Sequence, residues 1–239
     1  MIPTIDMAVQ DLALHHDPDY AGRVTRFFKV GPGSYSEHDQ FVGITVPILR
    51  CLAKKYHALS HTDIETLLRS PLHEYRLLAI LIMVHNFNRA STIDQDAIYR
   101  LYCNNISYIN NWDLVDQSAA PIIGGFLANK PEKINTLETL ARSKNLWERR
   151  MAVVATFYWI KLKSGHEALH ISRLLLQDPH DLIHKAVGWM LREVGKRCSK
   201  DLLDEFIVTH HREMPRIMLR YALERHTKEE QSRFYARNI

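Results

Sequence analysis

Apolar residues recur along this chain at spacings of three and four, and strictly alternating runs are scarce, so the pattern predicts helices rather than strands. From residue 45 to residue 237 it resolves into consecutive helix pairs: 45–56 with 62–69, 72–87 with 93–103, and 111–127 with 131–142. The series continues as 146–163 with 167–176, 180–197 with 200–210, and 215–226 with 228–235. Ser60, Thr62, Ser70-Pro71, Asp178-Pro179, Ser199 and Met214-Pro215 supply the start and stop signals at the joints. Upstream, residues 5–30 suggest two helices broken at His16-Asp17-Pro18, with Asp17 as a cap and Pro18 at the first helical position. Residues 30–47, with Gly31-Pro32-Gly33, Gly43 and Pro47, lack helical periodicity and read as a loop.

An alanine within a longer apolar helix recurs at Ala79, Ala119, Ala152, Ala186 and Ala222, at separations of 40, 33, 34 and 36 residues. Small residues at such a period suit HEAT and armadillo repeats, where paired helices approach closely. The expected fold is therefore an all-α solenoid of HEAT/armadillo-like repeats, one domain over 1–239, with N-terminal helices and a Gly/Pro loop in 1–44 and helix pairs in 45–239. Cations accompany the repeated alanines: Arg76, Arg149, Arg150, Lys185, Arg216 and Arg220. On a solenoid they would line a concave basic face, for which double-stranded DNA is the natural counterpart because its affinity comes mainly from phosphate neutralisation.

Composition adds bounds to this picture. Hydrophobic residues make up 46% and charged residues 24%, with a formal charge of +4, as in a globular protein compatible with a polyanionic partner. Three widely spaced cysteines in helical patterns read as reduced thiols, and no apolar run is long enough to span a bilayer, which points to a cytoplasmic protein. Fourteen histidines include the pair His180 and His184 at i, i+4, but without a third ligand nearby no metal is expected. Gly31-Pro32-Gly33 has neither the lysine nor the strand-loop-helix setting of a phosphate loop. No cofactor is called for, and a monomer is expected.

The stretch with the most chemistry is NNWDLVDQSAAPIIG, residues 110–124. Trp112 and Asp116 are four apart and would share one helix face. Asn110 or Asn111 can cap the helix, and Asp113 sits in the first turn where negative charge suits the dipole, which leaves Asp116 without a structural duty. Trp147 and Trp189 lie in further helices beside cations, as NLWERRMAVV and IHKAVGWMLRE.

In order and separation, WDLVD, the Trp147–Arg150 W-x-x-R and KAVGWMLRE resemble the AlkD-type family of DNA alkylation-repair glycosylases, over residues 21–222. The resemblance implies that Asp116, Trp112 and Trp189 are the catalytic set and that Arg150, or Arg149 if the phase is off by one, holds a flanking phosphate. It also implies that Lys29 and Tyr35, in an entry loop FFK-x-G-x-G-x-Y, lie near DNA. Two departures are visible, since the Gly-Pro-Gly loop is extended and Phe27-Phe28 stand where one branch of the family resembles a Tyr-containing run.

The chemistry fits this reading, because a purine alkylated at N3 or N7 is already cationic and leaves without a general acid. What its departure needs is negative charge beside an oxocarbenium-like sugar, an oriented water, and a wall that favours cations. Asp116 can supply the first two and the indoles the third. The expected function is a monofunctional glycosylase for 3-methyladenine and 7-methylguanine in duplex DNA, a base-excision repair hydrolase. A non-catalytic DNA-binding solenoid and a protein-interaction scaffold share the expected fold; the basic stripe speaks against the scaffold, and a carboxylate such as Asp116 facing a phosphate backbone speaks against the non-catalytic binder.

Overall fold

The computed structural model describes residues 3–236, and among these the chain is built from helices joined by turns and, between Phe27 and Val46, by a long loop. Contacts divide it into two compact units, Met1–Ile122 and Ile123–Ile239.

The first unit contains α1 (Ile5–Ala13), α2 (Pro18–Phe27), α3 (Val46–Lys55), α4 (His61–Leu68), α5 (His73–Phe87), α6 (Thr92–Asn104) and α7 (Trp112–Ser118). Caps form where the sequence places them: Asp17 accepts from the Tyr20 N–H at 2.9 Å with Pro18 at the first position of α2, and Ser60 and Asp63 form a capping box on α4. Helix α5 is apolar almost all round and packs against α3, α4 and α7, so it is the central element of this unit. Tyr102 of α6 shares a buried hydrogen bond of 2.8 Å with Ser118 at the end of α7.

The second unit contains α8 (Gly125–Leu127), α9 (Lys133–Ala141), α10 (Leu146–Ala155), α11 (Phe157–Lys161), α12 (His166–Leu174), α13 (Asp181–Arg197), α14 (Lys200–His210), α15 (Arg216–Ala222) and α16 (Lys228–Tyr235). Helix α13 is its centre, packed against α10, α14 and α15. Gly188, the glycine of KAVGW, lets α15 close in, since a Cβ there would sit 2.5 Å from the Met218 carbonyl oxygen and 2.6 Å from the Tyr221 Cβ. All five repeated alanines are buried, at 0 or 1% exposure, as the close approach of paired helices requires.

Three details depart from the sequence expectation. The helix expected over 111–127 is α7 followed by a π-helical segment, Ala119–Gly124, and the short α8, with Pro121 inside the segment where it denies the regular ladder a donor. The helix expected over 146–163 breaks at Thr156, whose hydroxyl donates to the Val153 carbonyl at 2.6 Å, giving α10 and α11. A single 3-10 turn, Ile106–Tyr108, precedes α7. Residue 237, where the expected series of pairs ends, lies outside the described residues. No described helix is long and apolar enough to cross a membrane.

The loop over 30–45 is fixed from inside the first unit. The buried Glu74 carboxylate accepts from the backbone N–H groups of Val42, Gly43 and Ile44 at 2.8–3.3 Å, and Gln40 bridges to Leu72. Gly43 is obligatory there, with φ +84° and an added Cβ only 2.0 Å from the Asp17 carbonyl oxygen. Asp39, from the same loop, enters a buried polar cluster. It pairs with Arg76, lies 3.5 Å from His73 Nδ1 and accepts from the Asn111 amide at 2.5 Å. His73 Nε2 in turn meets Asp113 Oδ2 at 2.8 Å. Loop, α5 and α7 are thus tied by one alternating row of charges: Arg76, Asp39, His73, Asp113. Burial alone would push the His73 imidazole down, but Asp113 and Asp39 on either side raise it to about 9. Burial would likewise raise the Asp39 carboxyl, and the hydrogen bond from His73 and the Arg76 guanidinium hold it below the usual range.

Two outcomes follow for stability. Gly43→Ala should destabilise the protein by about 2 kcal/mol or more, seen as a lowered thermal midpoint; an unchanged midpoint would contradict the φ and packing at this position. Because the folded His73 value of about 9 lies above its ordinary 6.5, its contribution is complete below about 6.5 and is lost as pH rises through 9. Denaturant titrations across that window should show stability falling by roughly 3 kcal/mol, and His73→Gln should remove this slope.

Candidate functional site

Helix α7 begins at a cap that is also a joint. Asn111 is fully buried, its side-chain carbonyl accepts from the Trp112 N–H at 2.7 Å, and its amide donates to Ser36 and Asp39 of the loop. Of the two possible caps, the structure uses Asn111. Trp112 is therefore presented from a rigid first turn. It remains half-buried, with the Phe28 ring stacked on it at 5.0 Å and 14° between planes and the Phe27 ring edge-on at 6.0 Å. Asp116, one turn along the same helix, is also half-buried.

Asp113 has more than a helix-start role. Its Oδ2 is held by His73, while its Oδ1 is buried and accepts no hydrogen bond from the protein. It lies at the edge of a cavity of about 430 Å³ within the first unit, whose walls include Phe27, Phe28, Phe41 and Trp112. One wall is α2, which contributes Tyr20, Arg23, Val24 and Phe27, the i, i+3, i+4, i+7 stripe of one helix face. That helix has no buried residue, and Phe27 is 68% exposed. His73, Asp39, Phe41 and the stacking role of Phe28 were not legible as site residues in the sequence. The departure at Phe27-Phe28 was the one local signal pointing at this spot.

In the second unit, Trp189 on α13 is half-buried, with its ring 6.0 Å from that of Phe157. Trp147 does not share this presentation: it is 8% exposed and belongs to the core of α10. Of the three tryptophans set beside charged residues in the sequence, Trp112 and Trp189 are half-buried and Trp147 is core.

The expected DNA-binding cations divide in the same way. Lys29, Arg216 and Arg220 are exposed, and Lys185 is half-buried beside Asp181 at 2.7 Å. Arg76 is 5% exposed and bonded to Asp39 and to the Ser70 and Pro71 carbonyls, so the repeat phase placed on the surface a residue that the fold holds inside. Arg149 bonds Asp178 and the Ser143 and Lys144 carbonyls, closing the joint before α10. Arg150 is buried and donates to the Leu182 carbonyl at 2.7 Å, bracing the start of α13. Lys29 carries φ +56°, at the turn that follows α2. Tyr35 is half-buried in the loop. His180 caps α13 by accepting from the Leu182 N–H, and His184 meets the Asp178 carbonyl, so this pair has structural work. No group of three or more potential metal ligands exists among the described residues.

A search of curated proteins finds no match. Among solved structures, the chain is similar to a predicted DNA alkylation repair enzyme from Enterococcus faecalis, with 20% identity, a TM-score of 0.68, and coverage of 90% of this chain and 98% of that one. It is also similar to AlkD2 from Streptococcus mutans, with 18% identity, a TM-score of 0.56, and coverage of 87% and 97%. Both likenesses show the all-α helical-repeat fold. The family model described as DNA alkylation repair enzyme matches residues 8–226, and with nearly the whole chain covered, the protein belongs to the DNA alkylation repair enzyme family.

Proposed function

We propose that the protein is a monofunctional DNA glycosylase that hydrolyses the N-glycosidic bond of positively charged alkylated purines, 3-methyladenine and 7-methylguanine, in duplex DNA. The observation that carries this reading is the pairing of Trp112 with Asp116 on a helix whose first turn is locked by Asn111, in a chain of the alkylation repair family. The reaction suits such a site. The leaving base is already cationic, so the protein's task is to stabilise positive charge growing on the sugar and to orient water, and one carboxylate does both. Asp116 has this role in the proposal. Trp112 and Trp189 offer indole faces to cations, each contact contributing roughly 0.5–2 kcal/mol. Arg216, Arg220 and Lys29, which are exposed, are the better candidates for phosphate contacts. Arg150 is assigned a phosphate only through the resemblance of its motif.

Free base released from methylated duplex, separated by chromatography, tests the chemistry. Asp116→Asn should slow release by about a hundredfold or more while keeping the melting temperature. Uracil and hypoxanthine, which are neutral, should stay attached, and borohydride should trap no adduct because no lysine nucleophile is proposed. Persistent release by the Asp116 variant would remove the carboxylate from the mechanism.

Salt dependence tests the phosphate contacts. Plots of log K against log salt for duplex binding should have a slope of about −0.9 per phosphate met, and Arg216→Ala and Arg220→Ala should each flatten the slope by about that amount. Arg76→Ala should leave the slope alone and lower stability. Equal slopes in wild type and both surface variants would exclude those two arginines from the DNA contact.

A further inference from the structure

A second cavity, of about 110 Å³, lies within the second unit between the C-terminal half of α13, α14 and the turn that follows α15. Leu203 and Ala222 give it an apolar floor, and its ionisable lining is basic throughout: Arg192, Lys196, Lys200, Arg225 and His226. Three of these are held by carboxylates. Glu193 and Glu224 pair with Arg192, Asp204 and Glu230 pair with Lys200, and Asp204 meets His226 Nε2 at 2.6 Å. None of the four acids is part of the lining. Lys196 and Arg225 are exposed and form no ion pair among the described residues. Two nitrogens of the lining side chains, Arg192 Nε and His226 Nδ1, are buried with no hydrogen-bond partner among the described residues, and His226 as a whole is only 8% exposed. Buried polar atoms of this kind are rare in folded proteins, and two around one cavity call for a partner from outside the chain.

Cations gathered around one space repel each other, and an anion placed among them removes that repulsion and accepts their hydrogen bonds. At roughly 30 Å³ for each water molecule, 110 Å³ is room for three or four oxygens, the size of one tetrahedral oxyanion and well short of a nucleoside. We propose that this cavity binds a single phosphate group. Lys196 and Arg225 supply its charge partners at the mouth, and Arg192 donates from Nε. In its imidazolium form His226 donates from both ring nitrogens, Nε2 to Asp204 and Nδ1 to the anion. The carboxylates that hold Arg192, Lys200 and His226 fix these donors before the anion arrives, so that little ordering is left to oppose binding. The phosphate group is either free or part of DNA, and the chemistry that recognises it is the same. None of this depends on the glycosylase reading.

The test has two arms. In the first, the full chain is titrated calorimetrically with inorganic phosphate, and with chloride at equal ionic strength. Phosphate should bind saturably at one site per chain and chloride should not. Lys196→Met and Arg225→Met, both at exposed positions, should each weaken phosphate about tenfold and leave the thermal midpoint in phosphate-free buffer at the wild-type value. No saturable binding of phosphate, or equal affinity in wild type and the double variant, would overturn the proposal. The second arm separates the two sources by duplex binding. If the phosphate group belongs to DNA, inorganic phosphate competes with duplex, and the double variant flattens the slope of log K against log salt by about 0.9 for the one phosphate. If it is free, the double variant loses phosphate and keeps the wild-type slope. Either result upholds the site and names its ligand. A wild type that binds phosphate here but releases no base from methylated duplex would remove the glycosylase reading and leave the phosphate site standing.

Discussion

The row of charges Arg76, Asp39, His73 and Asp113 is the interaction on which the first unit's functional end depends. Each member is buried or nearly so, and each is tolerable only because its neighbours carry the opposite sign. Together they join a loop, the central helix α5 and the first turn of α7, three pieces of chain far apart in sequence. Removing any one member leaves an uncompensated charge in the interior, which typically costs about 3–5 kcal/mol. An apolar replacement could hold the same pieces together, but it would not fix Asn111, whose amide is bound by Asp39 while its carbonyl caps α7.

That joint explains how an irregular loop can set a precise tryptophan. Glu74 gathers three N–H groups of the loop, Gly43 permits the backbone to pass against Asp17, and Asp39 then reaches Arg76 and Asn111. The Phe28 ring, at the end of α2, is brought onto Trp112 by the same loop. The loop's glycines and prolines shape internal connections, with its N–H groups satisfied by a carboxylate of the protein.

The arginines illustrate how one residue type divides between building and binding. Arg76, Arg149 and Arg150 donate to carbonyls at the joints between helices, where the planar guanidinium can satisfy several acceptors at once. Arg216 and Arg220 lie exposed over tyrosine rings, at 5.9 and 5.6 Å from guanidinium to centroid, and keep their donors available to solvent. A count of cations along the repeats therefore overstates the charge available to a polyanion.

By itself the sequence determined most of the helices and caps, the buried alanines, the family, and the segment that carries Trp112 and Asp116. These are local or periodic properties: a cap is set within four residues, and a repeat announces itself by its spacing. Only the tertiary structure decided that α7 opens into a π-helical segment, that Trp147 is core while Trp189 is half-exposed, and that Arg76 faces inward. The His73–Asp113 pair spans 40 positions and Asn111–Asp39 spans 72, so no pattern along the chain announces either. The same holds for the aromatic cavity, assembled from α2, the loop, α5 and α7. Periodicity gives a residue's phase on its own helix, whereas the partner that neutralises a buried charge or covers a ring is fixed by which distant segment packs against it.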